Sequence, residues 1–358
     1  MIKQIKFKDK VLDLPLIQGG MGVGVSLGNL AGNVAKEGAM GVISAAHPGY
    51  LRKEFRKDPL KENILGLHDE IKKAKAIASG KGLIGVNIMV AGQNYQTYVK
   101  ESIKAGADAI ISGAGLPLEL PSLVTDNTLI APIVSSFKAC NVILKSWDRR
   151  YKKTADFIVI EGSEAGGHLG FKVDDLLNNT VQSLKDILLE VKELVKTYQE
   201  KYQKDIPIFV AGGIYDKEDI DYYQSLGADG VQMATRFIAT HECDADDRFK
   251  QAIVNCTKEE IKIVNSPTGF PGRAVFNKFY QNNLKRGCNI RMEKCLQCMI
   301  PCNPLDTPYC ISEALISSAR GFTDGGVVFV GSKAHLINEI ISVKELIDSL
   351  FRGKENDK

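Results

Sequence analysis

No stretch of the chain approaches the ~20 consecutive apolar residues that cross a bilayer. The N-terminus, "MIKQIKFKDKVLDL", has no apolar core ahead of a small-residue cleavage site, so it does not read as a secretory signal. Dense basic tracts with interleaved aromatics are missing too. The nearest approach, "KSWDRRYKK" at 145–153, reads as a solvated helix end, and the net charge is only +3. Neither nucleic acid nor membrane is therefore an expected partner, and the expected location is cytoplasmic. Histidine is scarce, with five in 358 residues. Cysteine is not scarce. There are eight, five of them between Cys288 and Cys310, and in a reducing compartment they are expected as thiols rather than disulfides.

What is present is an ordinary globular composition, 44% hydrophobic and 25% charged, with ample length for a full core. One short pattern recurs: "EGAMGVI" from Glu37, "AGADAII" from Ala105 and "LGADGVQ" from Leu226, with "TADFIVI" from Thr154 as a looser copy. Each reads as a helix closing, often on glycine, followed by a short apolar strand. Eight such strands are expected, beginning near Pro15, Gly41, Gly82, Asp108, Ala131, Asp156, Pro207 and Gly230. They are apolar without strict alternation, as strands buried on both faces are. Amphipathic helical stretches lie between them, the clearest at 181–202. The reading is α/β, a (β/α)8 TIM barrel over 1–255, with an open doubly wound sheet as the alternative. Residues 256–358 are expected to form a C-terminal helical and loop cap with a Cys-rich loop. Within it, "NSPTGFPGRAV" at 265–275 reads as an ordered loop, and helices are expected at 277–286, 311–319 and 343–351.

In such barrels the ligand sits at the C-terminal ends of the strands. Four of those ends are glycine-rich: "QGGMGVG", "SGAG", "EGSEAGGH" and "AGGI". Any one of them fits a tight turn, but four on one rim indicate close backbone approach to a ligand. Loops after strands seven and eight commonly bind phosphate through backbone amides, which places Gly212, Gly213, Ala234 and Thr235 at a phosphate. Asn87 is a polar amide on an otherwise apolar strand and needs a partner, either nearby backbone or a ligand. His168 follows the sixth strand in "EAGGH", as an acid/base candidate or a plain loop residue. His47, after strand two, is a substrate-pocket candidate. His68, His241 and His335 read as exposed, and Lys138, after strand five, reads as an exposed residue at a helix start.

Taken together, "PLIQGGMGVG", "GVNIM", "EAGGHLG", "IPIFVAGGI" and "GADGVQMATRF" resemble the nitronate monooxygenase family, formerly called 2-nitropropane dioxygenases, over residues 14–252. The flavin-dependent enoyl-ACP reductases share these motifs. The resemblance implies non-covalently bound FMN. It places Gly20, Met21 and Gly22 against the flavin and sets Asn87, Glu161 and Gly166 at the ring or ribityl chain, with Gly167 letting the backbone pass. It implies that Gly212 and Gly213 with Gln232, Met233, Ala234 and Thr235 hold the phosphate, and that His168 is the active-site histidine. Many relatives carry Gln where this chain has Glu161. The activity so implied is oxidation of an alkyl nitronate at the flavin, with O2 completing the reaction. The alternatives are reduction of an enoyl thioester with NAD(P)H as co-substrate, and a non-enzymatic flavin-binding module. The expected partner is a small-molecule substrate, and a homodimer is left open.

The chain departs from that family in "CLQCMIPCNPLDTPYC", which spaces Cys295, Cys298, Cys302 and Cys310 as C-x2-C-x3-C-x7-C. The spacing resembles the iron–sulfur loop of the 2,4-dienoyl-CoA reductases. Four thiolates in one loop suit an iron–sulfur cluster or zinc, and the alternative is a set of reduced cysteines packing the cap.

Overall fold

A computed structural model describes residues 3–125, 127–283 and 295–352. Cys288 and the end of the expected 277–286 helix lie outside them. The chain starts with an antiparallel hairpin of β1 (Ile5–Phe7) and β2 (Lys10–Leu12). Eight parallel strands follow: β3 (Leu16–Gln18), β4 (Met40–Ser44), β5 (Leu83–Met89), β6 (Ala109–Gly113), β7 (Leu129–Val134), β8 (Ile158–Glu161), β10 (Ile208–Ala211) and β11 (Gly230–Met233). They close in the order β10-β11-β3-β4-β5-β6-β7-β8, with helices around them. This is a TIM barrel, and each strand falls where the apolar segments put it. The antiparallel strands β9 (Gly167–His168), β12 (Ile261–Asn265) and β13 (Pro271–Val275) form a separate sheet in the order β12-β13-β9.

The recurring Gly-Ala-Asp junction has a structural cause. The backbone N–H of Asp108 donates to the Ile84 carbonyl (2.8 Å), while its carboxylate accepts from the Ile84 N–H (2.9 Å). Asp229 makes the same exchange with Ile208, and Asp156 with Ile130. Each aspartate thus ties the start of its strand to a neighbouring strand. A carboxylate accepting from a backbone amide at the foot of the barrel satisfies a donor that strand pairing leaves over.

Inside the barrel, Ile17, Met40, Val42, Ile111, Phe157, Val159 and Phe209 pack in one apolar cluster, and Ile5, Phe7 and Leu12 of the hairpin join it. Phe157 lies between Phe7 and Phe209, with ring centroids 5.4 and 5.7 Å away. A larger cluster fills the layer between strands and helices. Its members Val343, Leu346, Ile347 and Leu350 come from the last helical segment of the chain, 343–352, which packs against the helices at 28–36 and 217–225. The eighth helical slot of the barrel wall is thus filled from the C-terminus.

The stretch at 265–275, expected as a loop, is instead the turn and second strand of a hairpin with β12. Pro271 and Gly272 obscure it in sequence, since both are depleted in strands. In the structure Gly272 faces His168 across the sheet.

Candidate functional site

The loops at the C-terminal ends of the strands enclose two clefts. The first, of about 70 Å³, is lined by Glu161, Gly166, Gly212, Gly213, Gln232, Met233, Ala234 and Thr235. Eight residues singled out from three separate motifs thus meet around one space. Gly212 and Gly213 stand at φ +91° and +83°, a left-handed backbone that favours glycine, so two successive peptides curl around the cleft without side chains. Gln232 Oε1 is buried and has no hydrogen-bond partner among the described residues.

Arg236 and Lys333 bring positive charge to the same cleft. Arg236 donates to the Tyr215 carbonyl (2.9 Å), and Lys333 Nζ pairs with Asp219 (2.7 Å). Glu164, exposed, lies against Gly213 and opposes them. Glu161, at the end of β8, is different. Burial pushes its carboxyl up to about 8, so near neutral pH it is uncharged and carries a proton it can donate. In that state it bears no charge, as a side-chain amide would not.

The second cleft, of about 1210 Å³, is lined by Asn87, His168, His47, Asn63, Tyr98 and Ser312 among others. His168 is carried on β9, two residues beyond Gly166 of the first cleft. Its Nε2 lies 2.8 Å from Ser266 Oγ, and its ring meets Phe329 edge-on at 4.9 Å between centroids. Burial pulls it down to about 4, so the imidazole is neutral near pH 7, with one ring nitrogen able to donate and the other to accept.

The glycine loop after β3 reaches this region from below. A side chain at Gly20 would start 2.4 Å from Asn87 Cβ, so glycine is required for the loop to lie on that strand. Gly22 packs beside Ser44 and Ala46, and the half-buried Met21 donates its N–H to Ser26 Oγ (2.7 Å). Gly167 has open space where a side chain would begin.

His47 is buried, not loosely exposed on the rim. Asn63 Nδ2 donates to its Nδ1 (3.2 Å), and the amide is fixed because Asn63 Oδ1 accepts from the Gly49 N–H (3.1 Å). Nε2 therefore carries the proton and donates to Ser312 Oγ (2.8 Å). His47, too, is pulled down to about 4 by burial. Lys138 is exposed on the helix Phe137–Tyr151. His68 pairs with Glu101 (3.0 Å), and His241 is exposed.

The cysteine-rich loop forms part of the larger cleft's wall. It is stitched to the loop after β5 by Gln93 N–H to the Cys298 carbonyl (3.1 Å) and Ile300 N–H to the Ala91 carbonyl (2.9 Å). Cys295, Cys298 and Cys310 border the cleft, whereas Cys302 packs among Met299, Tyr280 and Tyr309. Among the described residues no three Cys, His, Asp or Glu side chains come together as a metal-holding group, so the expected metal set is not assembled here. Burial, and then the neighbouring thiols, push Cys298 up to about 11, which keeps it an uncharged thiol.

Sequence reading missed Arg273, Ser312 and the segment 331–333. Arg273 donates to the Ser163 and Ala165 carbonyls and so shapes the loop between β8 and β9. Gly331, Ser332 and Lys333 line the smaller cleft from a hundred residues beyond its motifs. No local pattern marks them, because tertiary packing brings them there.

A sequence model of the nitronate monooxygenase family matches residues 4–353. This chain belongs to the nitronate monooxygenase family. Among its relatives, a Staphylococcus aureus protein named "Probable nitronate monooxygenase" is 27% identical over 303 residues, covering 75% of this chain and 77% of that protein. A Bacillus subtilis protein of the same name is 26% identical, covering 76% and 79%. A Rhodococcus jostii protein named as a hydroxy-methyl-oxo-octahydroindene-carboxyl-CoA dehydrogenase is 26% identical, covering 77% and 66%. In fold the chain is similar to nitroalkane oxidase from Streptomyces ansochromogenes (TM-score 0.68, 20% identity, 96% of each chain). It is likewise similar to FabK from Thermotoga maritima (TM-score 0.67, 24% identity, 96% of this chain and 93% of that one). Among the described residues no helix is long and apolar enough to cross a membrane.

Proposed function

We propose that this family member binds FMN across the two clefts and oxidises an alkyl nitronate with O2. The phosphate end lies at Gly212, Gly213 and Thr235, and the ring lies between Asn87 and His168. The residues present fit such a group. Gln232 Oε1 is an orphaned buried acceptor, and burying it unpaired costs free energy that a ligand donor would recover. A side chain at Gly212 would start 2.9 Å from the Gly162 carbonyl oxygen and one at Gly213 against the Glu164 carboxylate, so only glycine lets the backbone line the cleft there. When bound, FMN supplies the redox chemistry.

The observation that carries the reading is His168, a neutral buried imidazole facing the cavity that Asn87 also lines. A nitronate is already an anion with no proton to give up, so the neutral imidazole serves it as a hydrogen-bond donor through a ring N–H, and Ser266 at 2.8 Å from Nε2 fixes the ring's orientation. Asn87 and the protonated Glu161 offer hydrogen bonds to cofactor heteroatoms. O2 consumption with propyl-2-nitronate tests the reading, with protein lacking flavin as the blank. Nitronate-dependent uptake supports it, and none would contradict it.

A second reading, NAD(P)H-dependent reduction of an enoyl thioester, is favoured by the size of the larger cleft, of which a short nitronate fills a small part. NAD(P)H oxidation that requires the enoyl thioester would select it.

A further inference from the structure

We infer that the C-terminal segment 331–333 belongs to the cofactor site, with the Ser332 hydroxyl as a donor to a phosphate monoester and Lys333 as its neighbouring positive charge. This rests on the FMN reading above and assigns to the last part of the chain a role that the barrel motifs do not contain.

Ser332 Oγ is buried and has no hydrogen-bond partner among the described residues. It lines the smaller cleft, together with Gly212, Gly213 and Thr235. A hydroxyl buried without a partner loses its water for nothing in return, unless a ligand supplies the acceptor. The other orphan in that cleft, Gln232 Oε1, can only accept. Ser332 can donate, and phosphate oxygens only need donors.

The backbone around Ser332 is held from both sides. Its N–H donates to the Glu164 carbonyl (3.1 Å), and the Gly331 N–H donates to Thr235 Oγ1 (2.9 Å). Thr235 Oγ1 thereby serves the protein as an acceptor, and its own proton is left for the ligand. The segment is seated directly on the loop after β8: a side chain at Gly166 would start 2.5 Å from the Val330 carbonyl carbon. Gly166 thus makes room for the C-terminal segment as much as for a cofactor.

Charge agrees with a phosphate. Lys333 and Arg236 line the cleft, while Glu161 is held uncharged near neutral pH. Lys333 is half-buried against Asp219, which holds the ammonium in place at the cost of part of its charge. Exposed Glu164 is the opposing carboxylate.

FMN and riboflavin differ only by the phosphate, so they separate a phosphate contact from any other. Flavin-depleted full-length protein is titrated with each, following quenching of flavin fluorescence. For Ser332→Ala the FMN Kd should rise about tenfold, the size of one hydrogen bond to a charged group. The riboflavin Kd should stay at the wild-type value. The flavin-free variant should melt at or above the wild-type temperature, because the mutation removes a buried group with no protein partner. Lys333→Gln should also weaken FMN selectively, by an amount that shrinks as salt is added. The inference is overturned if Ser332→Ala binds FMN as the wild type does, or if FMN and riboflavin weaken alike. Wild-type protein that binds neither flavin would refute the FMN reading itself and this inference with it.

Discussion

The two clefts are built in opposite ways. The smaller is built on short loops whose glycines bring backbone to the ligand, after β8, β10 and β11 and in the C-terminal segment at 331–333, with a few polar side chains among them. The larger is made of side chains from distant places: His47 after β4, Asn63 on the helix Pro59–Ala78, Asn87 on β5, His168 on β9, and Ser312 beyond the cysteine loop. A backbone-lined site needs glycine at fixed places in a short motif, whatever the ligand's far end carries. A side-chain-lined site needs a few residues brought together across the fold. The first kind suits a part that stays the same, such as a cofactor phosphate. The second can change with the substrate without disturbing the first.

Gly213→Asp should break this comparison most completely. It sets a carboxylate in the cradle beside Glu164 on a left-handed backbone, and no FMN should remain after purification. Circular dichroism would confirm the fold. Wild-type flavin content in that variant would move the phosphate elsewhere.

At the other cleft, His168→Ala should leave the flavin bound and lower nitronate turnover by about 10- to 100-fold, the size of one hydrogen bond to a charged group. Because the imidazole is held near 4, the wild-type rate should show no ionisation around the ordinary histidine value of 6.5. A rate that titrates near 6.5 would contradict the burial argued for this ring.

Stability should follow both buried histidines. Their folded values, about 4, lie below the 6.5 of the unfolded chain, so the unfolded state binds protons first as pH falls. The contribution is complete above pH 6.5 and is lost toward pH 4, on the order of 3 kcal/mol for each ring at most. Glu161 runs the other way. Its folded value of about 8 lies above the unfolded 4.5, so its contribution is complete below 4.5 and is lost as pH rises through 8. Denaturant melts between pH 4 and 9 would show both limbs, and His47→Gln should flatten the acid one.

The smallest effect should come from Glu161→Gln. Near pH 7 it should retain FMN as the wild type does, since the wild-type carboxyl is already neutral there. Above pH 8 the wild type should lose affinity as a negative charge develops in the cleft, and the variant should not. Parallel pH profiles would mean that Glu161 does not face the flavin.

The same contrast explains what the sequence reveals. All eight barrel strands are readable, because each is a short apolar run behind a glycine or aspartate junction. The loops proposed for the phosphate are readable because "AGGI" needs its two glycines at positive φ and "QMATR" directly follows an apolar strand. The hairpin of β12 and β13 is not, since Pro271 and Gly272 argue against a strand that tertiary pairing with His168 nevertheless forms. Ser312 and Ser332 are ordinary serines in sequence. Only the packing of the C-terminal hundred residues on the barrel makes one a partner of His47 and the other a buried donor. Cys295 to Cys310 teach the reverse lesson. Their compact spacing is legible and suits either a metal or reduced thiols; among the described residues Cys295, Cys298 and Cys310 border the larger cleft and no three Cys, His, Asp or Glu side chains form a metal-holding group.

The central claim is that a flavin held at the glycine cleft is reduced by a nitronate presented from the larger one. Anaerobic mixing of the purified protein with propyl-2-nitronate, followed by visible absorbance, tests it most directly. The account predicts bleaching of the flavin by the nitronate and none by NAD(P)H, with colour returning when O2 is admitted. Bleaching by NAD(P)H but not by the nitronate would contradict it.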